Sequence, residues 1–113
     1  MPSDLSGAEL DAKFFEVCWP GQVHVDRTGL RQLSKPPVST DATACEAWAM
    51  RWARENGLEY TICDKSTHVT VELIAADERD NTYVYASGTD WKEAFVRACV
   101  AAGEILNQAK GGA

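Results

Sequence analysis

Two pairs of residues in this chain have the types that reactive chemistry uses. Cys63 and His68 are separated by four residues, Asp64 to Thr67, and a regular hairpin would set them opposite each other. A thiol beside an imidazole is the pairing that yields a thiolate nucleophile. Together with Cys18 and His24 they make a nominal two-cysteine, two-histidine set of the kind that holds zinc. Their spacing argues against both uses. Five residues separate Cys18 from His24 and four separate Cys63 from His68, which is no recognised zinc pattern, and no third group is placed to orient the base. The plainer expectation is a buried thiol and an ordinary strand-end imidazole, with no catalytic residue, no metal and no cofactor. A small enzyme built on Cys63 and His68 is the alternative.

Cys45 and Cys99 fall on apolar helical stripes and are expected to be small core residues. No CxxC pair occurs, so all four cysteines are expected to be free thiols in a reducing compartment. The chain also lacks a phosphate loop, GxGxxG, GxSxG, HExxH and any calcium-loop pattern.

The candidates for binding are of two kinds. Trp19 stands beside Pro20 at the edge of an irregular region, where an indole with its N–H suits a contact residue, although packing is the commoner use of such a ring. Tyr83 and Tyr85 share one face of a strand. Covered by helices they would be core; left open they would form an aromatic platform for a ring or a partner surface. Arg27, Arg31 and Lys35 are the only local concentration of positive charge, suited to the phosphate of a nucleotide-like ligand.

These residues must be positioned by a small set of elements. A first helix is expected over the sequence AELDAKFFEVCW, with Leu10, Phe14, Val17 and Cys18 on one stripe and Trp19-Pro20-Gly21 ending it. Gln22 to Asp26 alternates and suits an extended segment, and Arg27-Thr28-Gly29 suits a turn. From Pro36 to Gly57 the start and stop signals are complete. Two prolines hold the approach extended, Ser39, Thr40 and Asp41 offer capping oxygens, and Ala44, Cys45, Trp48, Trp52 and Ala53 recur at helical spacing before Gly57 stops the helix. Three strands follow, at Leu58 to Cys63, His68 to Ala75 and Thr82 to Ser87, joined by short polar turns that imply an antiparallel meander. The last helix opens with Asp90 and Glu93 at capping-box spacing and carries a strong stripe from Trp91 through Phe95, Ala98 and Cys99 to Leu106. Gly103 inside it costs about 1 kcal/mol relative to Ala, which points to close packing there.

The fold class is therefore α+β. At 113 residues there is room for one domain, expected over residues 9–108 between flexible ends at 1–8 and 109–113. Eleven basic residues against seventeen acidic ones give a net charge of −6 without any basic cluster, which disfavours a nucleic-acid backbone as partner. Asp77, Glu78 and Asp80 are read as a solvated turn rather than as a mimic of nucleic acid. The opening residues lack the basic start and apolar run of a secretory leader, and no stretch reaches membrane-spanning length, so a cytoplasmic location is expected.

Taken together, the early LDAKFFEVCWPG, the PPVSTDATACEAW stretch and the closing FVRACVAAGEIL resemble the phage ABA sandwich domain, a small domain of bacteriophage and prophage proteins. The resemblance spans about residues 9 to 106. It implies an α/β/α sandwich-like arrangement with a sheet between helices, a phage origin and no catalytic residues. By analogy, it implies a protein that acts in the host cell by binding, either inhibiting a host defence or regulatory protein or sequestering a nucleotide-like signal. A self-associating structural or assembly protein, active as a homo-oligomer, is a further alternative.

Overall fold

The computed structural model describes residues 7–19, 37–75 and 83–111. Its elements, in chain order, are helix α1 (Gly7–Cys18), helix α2 (42–55), strands β1 (Leu58–Asp64), β2 (Val69–Ala75) and β3 (Tyr83–Gly88), and helix α3 (Trp91–Gly111). They form a single α+β domain whose sheet is the expected antiparallel meander, in the order β1-β2-β3. The extended segment at 22–26, the turn at 27–29 and the acidic turn at 77–80 lie outside the described residues.

Helix α3 occupies the centre. Ala94, Phe95, Val96, Ala98, Cys99, Val100 and Ala102 are all buried, which takes in more of its circumference than one stripe. A helix apolar on most sides must be covered on most sides. The sheet covers one side through Val71, Leu73 and Val84, and α1 and α2 cover the other. The described helices thus lie on one face of the sheet, and the second helical layer of a sandwich is not among the described residues.

Local signals explain where α3 starts and how close it packs. Asp90 Oδ1 accepts from the Glu93 N–H at 3.0 Å, while Glu93 Oε1 accepts from the Thr89 N–H at 2.9 Å. This is a capping box whose return bond reaches one residue further back than usual. Gly103 faces α1 at a crossing so tight that an added Cβ would lie 2.6 Å from Val17 Cγ1.

Helix α2 departs from the expected regular spacing. Residues Cys45–Met50 form a π-helical segment between short α-helical ends. Such a wide turn departs from the usual backbone ladder, and two of its carbonyls accept from side chains of other elements. Trp48 C=O accepts from the Trp19 indole N–H at 3.2 Å as well as from the Arg51 N–H, and Ala49 C=O accepts from the Cys99 thiol at 3.6 Å.

Of the three candidate caps, Asp41 alone acts, accepting from the Thr43 and Ala44 N–H groups. Ser39 is buried and spends its own N–H on Asp11 Oδ1 at 2.9 Å, tying the entry of α2 to α1. Gly57, at φ +70°, follows α2 in the left-handed conformation its type allows.

Candidate functional site

The strand register sorts side chains onto two faces. Leu58, Tyr60, Ile62, Val71, Leu73, Val84 and Ala86 point toward α3; the opposite face is built in rows across the strands, Glu59–Ile74–Tyr83, then Thr61–Glu72–Tyr85, then Cys63–Thr70–Ser87. On this second face Tyr83 and Tyr85 are 53% and 55% exposed, and Ile74 is 43% exposed. Tyr83 stands directly across from Ile74, and Tyr85 across from Glu72. The surface is thus aromatic and aliphatic along one edge, with two carboxylates beside it. Of the two readings left open by the sequence, the geometry is that of the open platform rather than the core.

The remaining sequence candidates are dispersed. Arg27, Arg31, Lys35 and His24 lie outside the described residues. Trp19 is half-buried on the far side of the domain from the tyrosines, its ring edge-on to Trp48 at 5.6 Å and the Arg51 guanidinium 5.7 Å from its centroid. With its N–H already bonded to Trp48, that ring fastens the end of α1 to α2.

Cys63 and His68 are not opposite each other. Cys63 faces Thr70, because the pairing runs on to a bond from the Lys65 N–H to the His68 C=O at 2.8 Å, which leaves a two-residue turn and shifts the register by two residues. His68 Nδ1 instead shares a 2.9 Å hydrogen bond with Thr67 Oγ1. Cys63 is exposed rather than the buried thiol expected, because it stands on the face of β1 turned away from α3, while the other three cysteines are buried and all four are unpaired. Burial raises the thiol pKa of Cys18, with the Glu104 carboxylate adding to the shift. It pushes Cys45 up to about 12 against the opposing charge of Lys92, and holds Cys99 well above the ordinary thiol range. These groups stay protonated at neutral pH and serve as core and as weak donors, as in Cys18 Sγ to Cys99 C=O at 3.4 Å. Among the described residues no group of three or more His, Cys, Asp or Glu is placed to hold a metal ion, and no helix is long and apolar enough to cross a membrane.

A second surface was not anticipated. A cleft of about 550 Å³ lies between α2, the β1–β2 end of the sheet and the start of α3, with Glu46, Asp64 and Asp90 around Met50, Ile62 and Trp91. The carboxylates come from three separate elements, so no local spacing signals their convergence.

The chain matches no family model, and no curated protein or solved structure is significantly similar to it.

Proposed function

We propose that the chain is a non-enzymatic bacteriophage accessory protein that works in the host cytoplasm by binding a host defence or regulatory protein through the open face of its sheet. The observation that carries this reading is the exposure of Tyr83 and Tyr85, side by side on one strand and next to Ile74, in rows whose charged members are the carboxylates Glu59 and Glu72. Tyrosine is enriched at protein interfaces because it offers a large, stiff, amphipathic surface at a small cost in side-chain entropy. Two neighbouring tyrosines on a rigid strand fit the role of interface anchors. Glu59 and Glu72 beside them disfavour a phosphate at this face, so sequestration of a nucleotide-like signal would depend on Arg27, Arg31 and Lys35 instead.

The test is affinity capture from host extract with the tagged protein and with a Tyr83→Ser/Tyr85→Ser variant. Loss of two interface anchors at about 2 kcal/mol each would weaken the complex by on the order of 1000-fold. A partner retained equally by both proteins would refute the assignment of this face. Self-association through the same face is the second reading, favoured by the same exposed rings. It requires a symmetric oligomer that the double substitution converts to monomer, read as mass in solution.

A further inference from the structure

The outer edge of β1 and the cleft beside it form a second feature, separate from the tyrosine face. Among the described residues β1 is an edge strand, seven residues long, and Leu58–Asp64 contains no proline, no lysine and no bulge; its only charges are the carboxylates Glu59 and Asp64, which repel an acidic strand and admit a basic one. The Lys65–His68 bond fixes which backbone groups are free. Bonded and non-bonded pairs alternate along an antiparallel ladder, so Cys63, Thr61 and Glu59 turn their backbone groups toward β2, while Tyr60, Ile62 and Asp64 turn theirs outward. The side chains of these same three residues are on the α3 side of the sheet. Tyr60 and Ile62 remain 41% and 38% exposed there.

Ile62 and Asp64 continue directly into the cleft, whose floor is apolar and whose carboxylates are Glu46, Asp64 and Asp90. Asp90 is engaged by Lys92, whose Nζ is 3.5 Å from its Oδ2 and 5.6 Å from the Trp91 ring centroid. Glu46 and Asp64 form no ion pair among the described residues. Two uncompensated carboxylates over apolar walls suit a cation on an aliphatic stem, which is the shape of lysine or arginine. A second copy of this chain, itself at net charge −6, would bring like charge to the same place.

We propose that β1 accepts an extended, Lys- or Arg-bearing segment of a partner protein as a fourth, antiparallel strand, with the basic side chains entering the cleft. Main-chain bonds to Tyr60 and Ile62 hold the segment. Residues bonded opposite Tyr60 and Ile62 present their side chains on the same side of the sheet, so the basic residues are the ones whose N–H groups face β1. Their stems lie on Ile62, Met50 and Trp91, and their charged ends reach Glu46 and Asp64.

The probe is a capped, fluorescent heptapeptide alternating Lys and Thr, titrated against the full chain by anisotropy at low salt. Binding is expected to weaken at least tenfold in a Glu46→Gln/Asp64→Asn variant and with a Glu/Thr peptide of the same alternation. Backbone N-methylation at the Lys residues is expected to weaken it at least tenfold, and at the Thr residues by less than threefold. The Tyr83→Ser/Tyr85→Ser variant is expected to bind the probe unchanged, which separates this surface from the tyrosine face. No binding at millimolar peptide would overturn the proposal. Equal affinity for both N-methylated peptides would also do so, since charge alone would then account for binding. An unliganded dimer that Ile62→Lys splits would overturn it and assign the edge to a second copy.

Discussion

Gly103→Ala sets two physical effects against each other inside one helix. Intrinsic propensity favours alanine over glycine in a helix interior by about 1 kcal/mol. The crossing with α1 opposes it: the new methyl would be 2.6 Å from Val17 Cγ1, 3.2 Å from Cys18 Sγ and 3.5 Å from Trp52 Cζ2. Carbon atoms pack best at about 3.5 to 4.0 Å, so the first contact is short by roughly 1 Å. Val17 has little freedom to yield, because a β-branched side chain in a helix has one strongly preferred rotamer. Overpacking of this kind costs about 1–3 kcal/mol, and it arises here at a buried residue. The net expectation is destabilisation by about 1 kcal/mol after the propensity gain is subtracted, or roughly 4–6 °C in Tm for a domain of this size. Urea unfolding of Gly103→Ala, Val17→Ala and the double variant measures both parts. Because Val17→Ala removes the clashing methyl, the double variant should be more stable than the sum of the singles by about 1 kcal/mol or more. A Gly103→Ala protein that is more stable than the parent, with additive effects, would show that α1 and α3 are not in close contact at this point.

Two further predictions concern buried polar groups. Asp11→Ala leaves the Ser39 N–H buried without its 2.9 Å acceptor and should cost about 1–3 kcal/mol, whereas Asp11→Asn keeps an acceptor in place and should cost less; equal losses in urea would mean that the bond contributes nothing specific. The buried thiols make stability fall with alkali. Folding raises the Cys45 pKa from 9.0 to about 12, so its contribution is fully present below pH 9 and is lost as pH rises from 9 through 12, by about 1.4 kcal/mol at pH 10. The drop in unfolding free energy between pH 8 and pH 10 should therefore be smaller by about 1 kcal/mol in Cys45→Ala than in the parent, and an unchanged drop would refute the assignment.

Much of the fold is legible in the sequence where a local rule decides it. The stripe of α3 is readable because a helix covered on most sides needs apolar residues at nearly every step, and Asp90 and Glu93 announce its start. The end of α2 is readable in Gly57 for the same local reason. Its π-helical middle is not, because the side chains that donate to its carbonyls are Trp19 and Cys99, brought in from the end of α1 and from α3 by tertiary packing. The pairing of Cys63 with His68 failed on register alone. Pairing that continues to Lys65 and His68 shortens the turn from four residues to two and moves Thr70 into the place where His68 was expected.

The cleft beside β1 escaped the sequence for a different reason, which is visible in the two neighbouring strands β1 and β2. Tyr60 and Ile62 alternate with polar residues as regularly as Val71 and Leu73 do, and pair with Leu73 and Val71 across the ladder. Yet Val71 and Leu73 are fully enclosed, and Tyr60 and Ile62 remain more than a third exposed. Alternation specifies the face on which a side chain stands; it says nothing of whether its strand is central or at the edge. That is decided by strand order. With β2 in the middle, α3 lies over β2 and β3 and reaches β1 least. The residues that β1 contributes to the apolar face are left half in solvent beside the carboxylates of the cleft. Hydrophobic groups patterned for a core but placed at an edge lack a covering within the described chain, and this mismatch makes β1 a better place to look for a partner than any local motif the sequence contains.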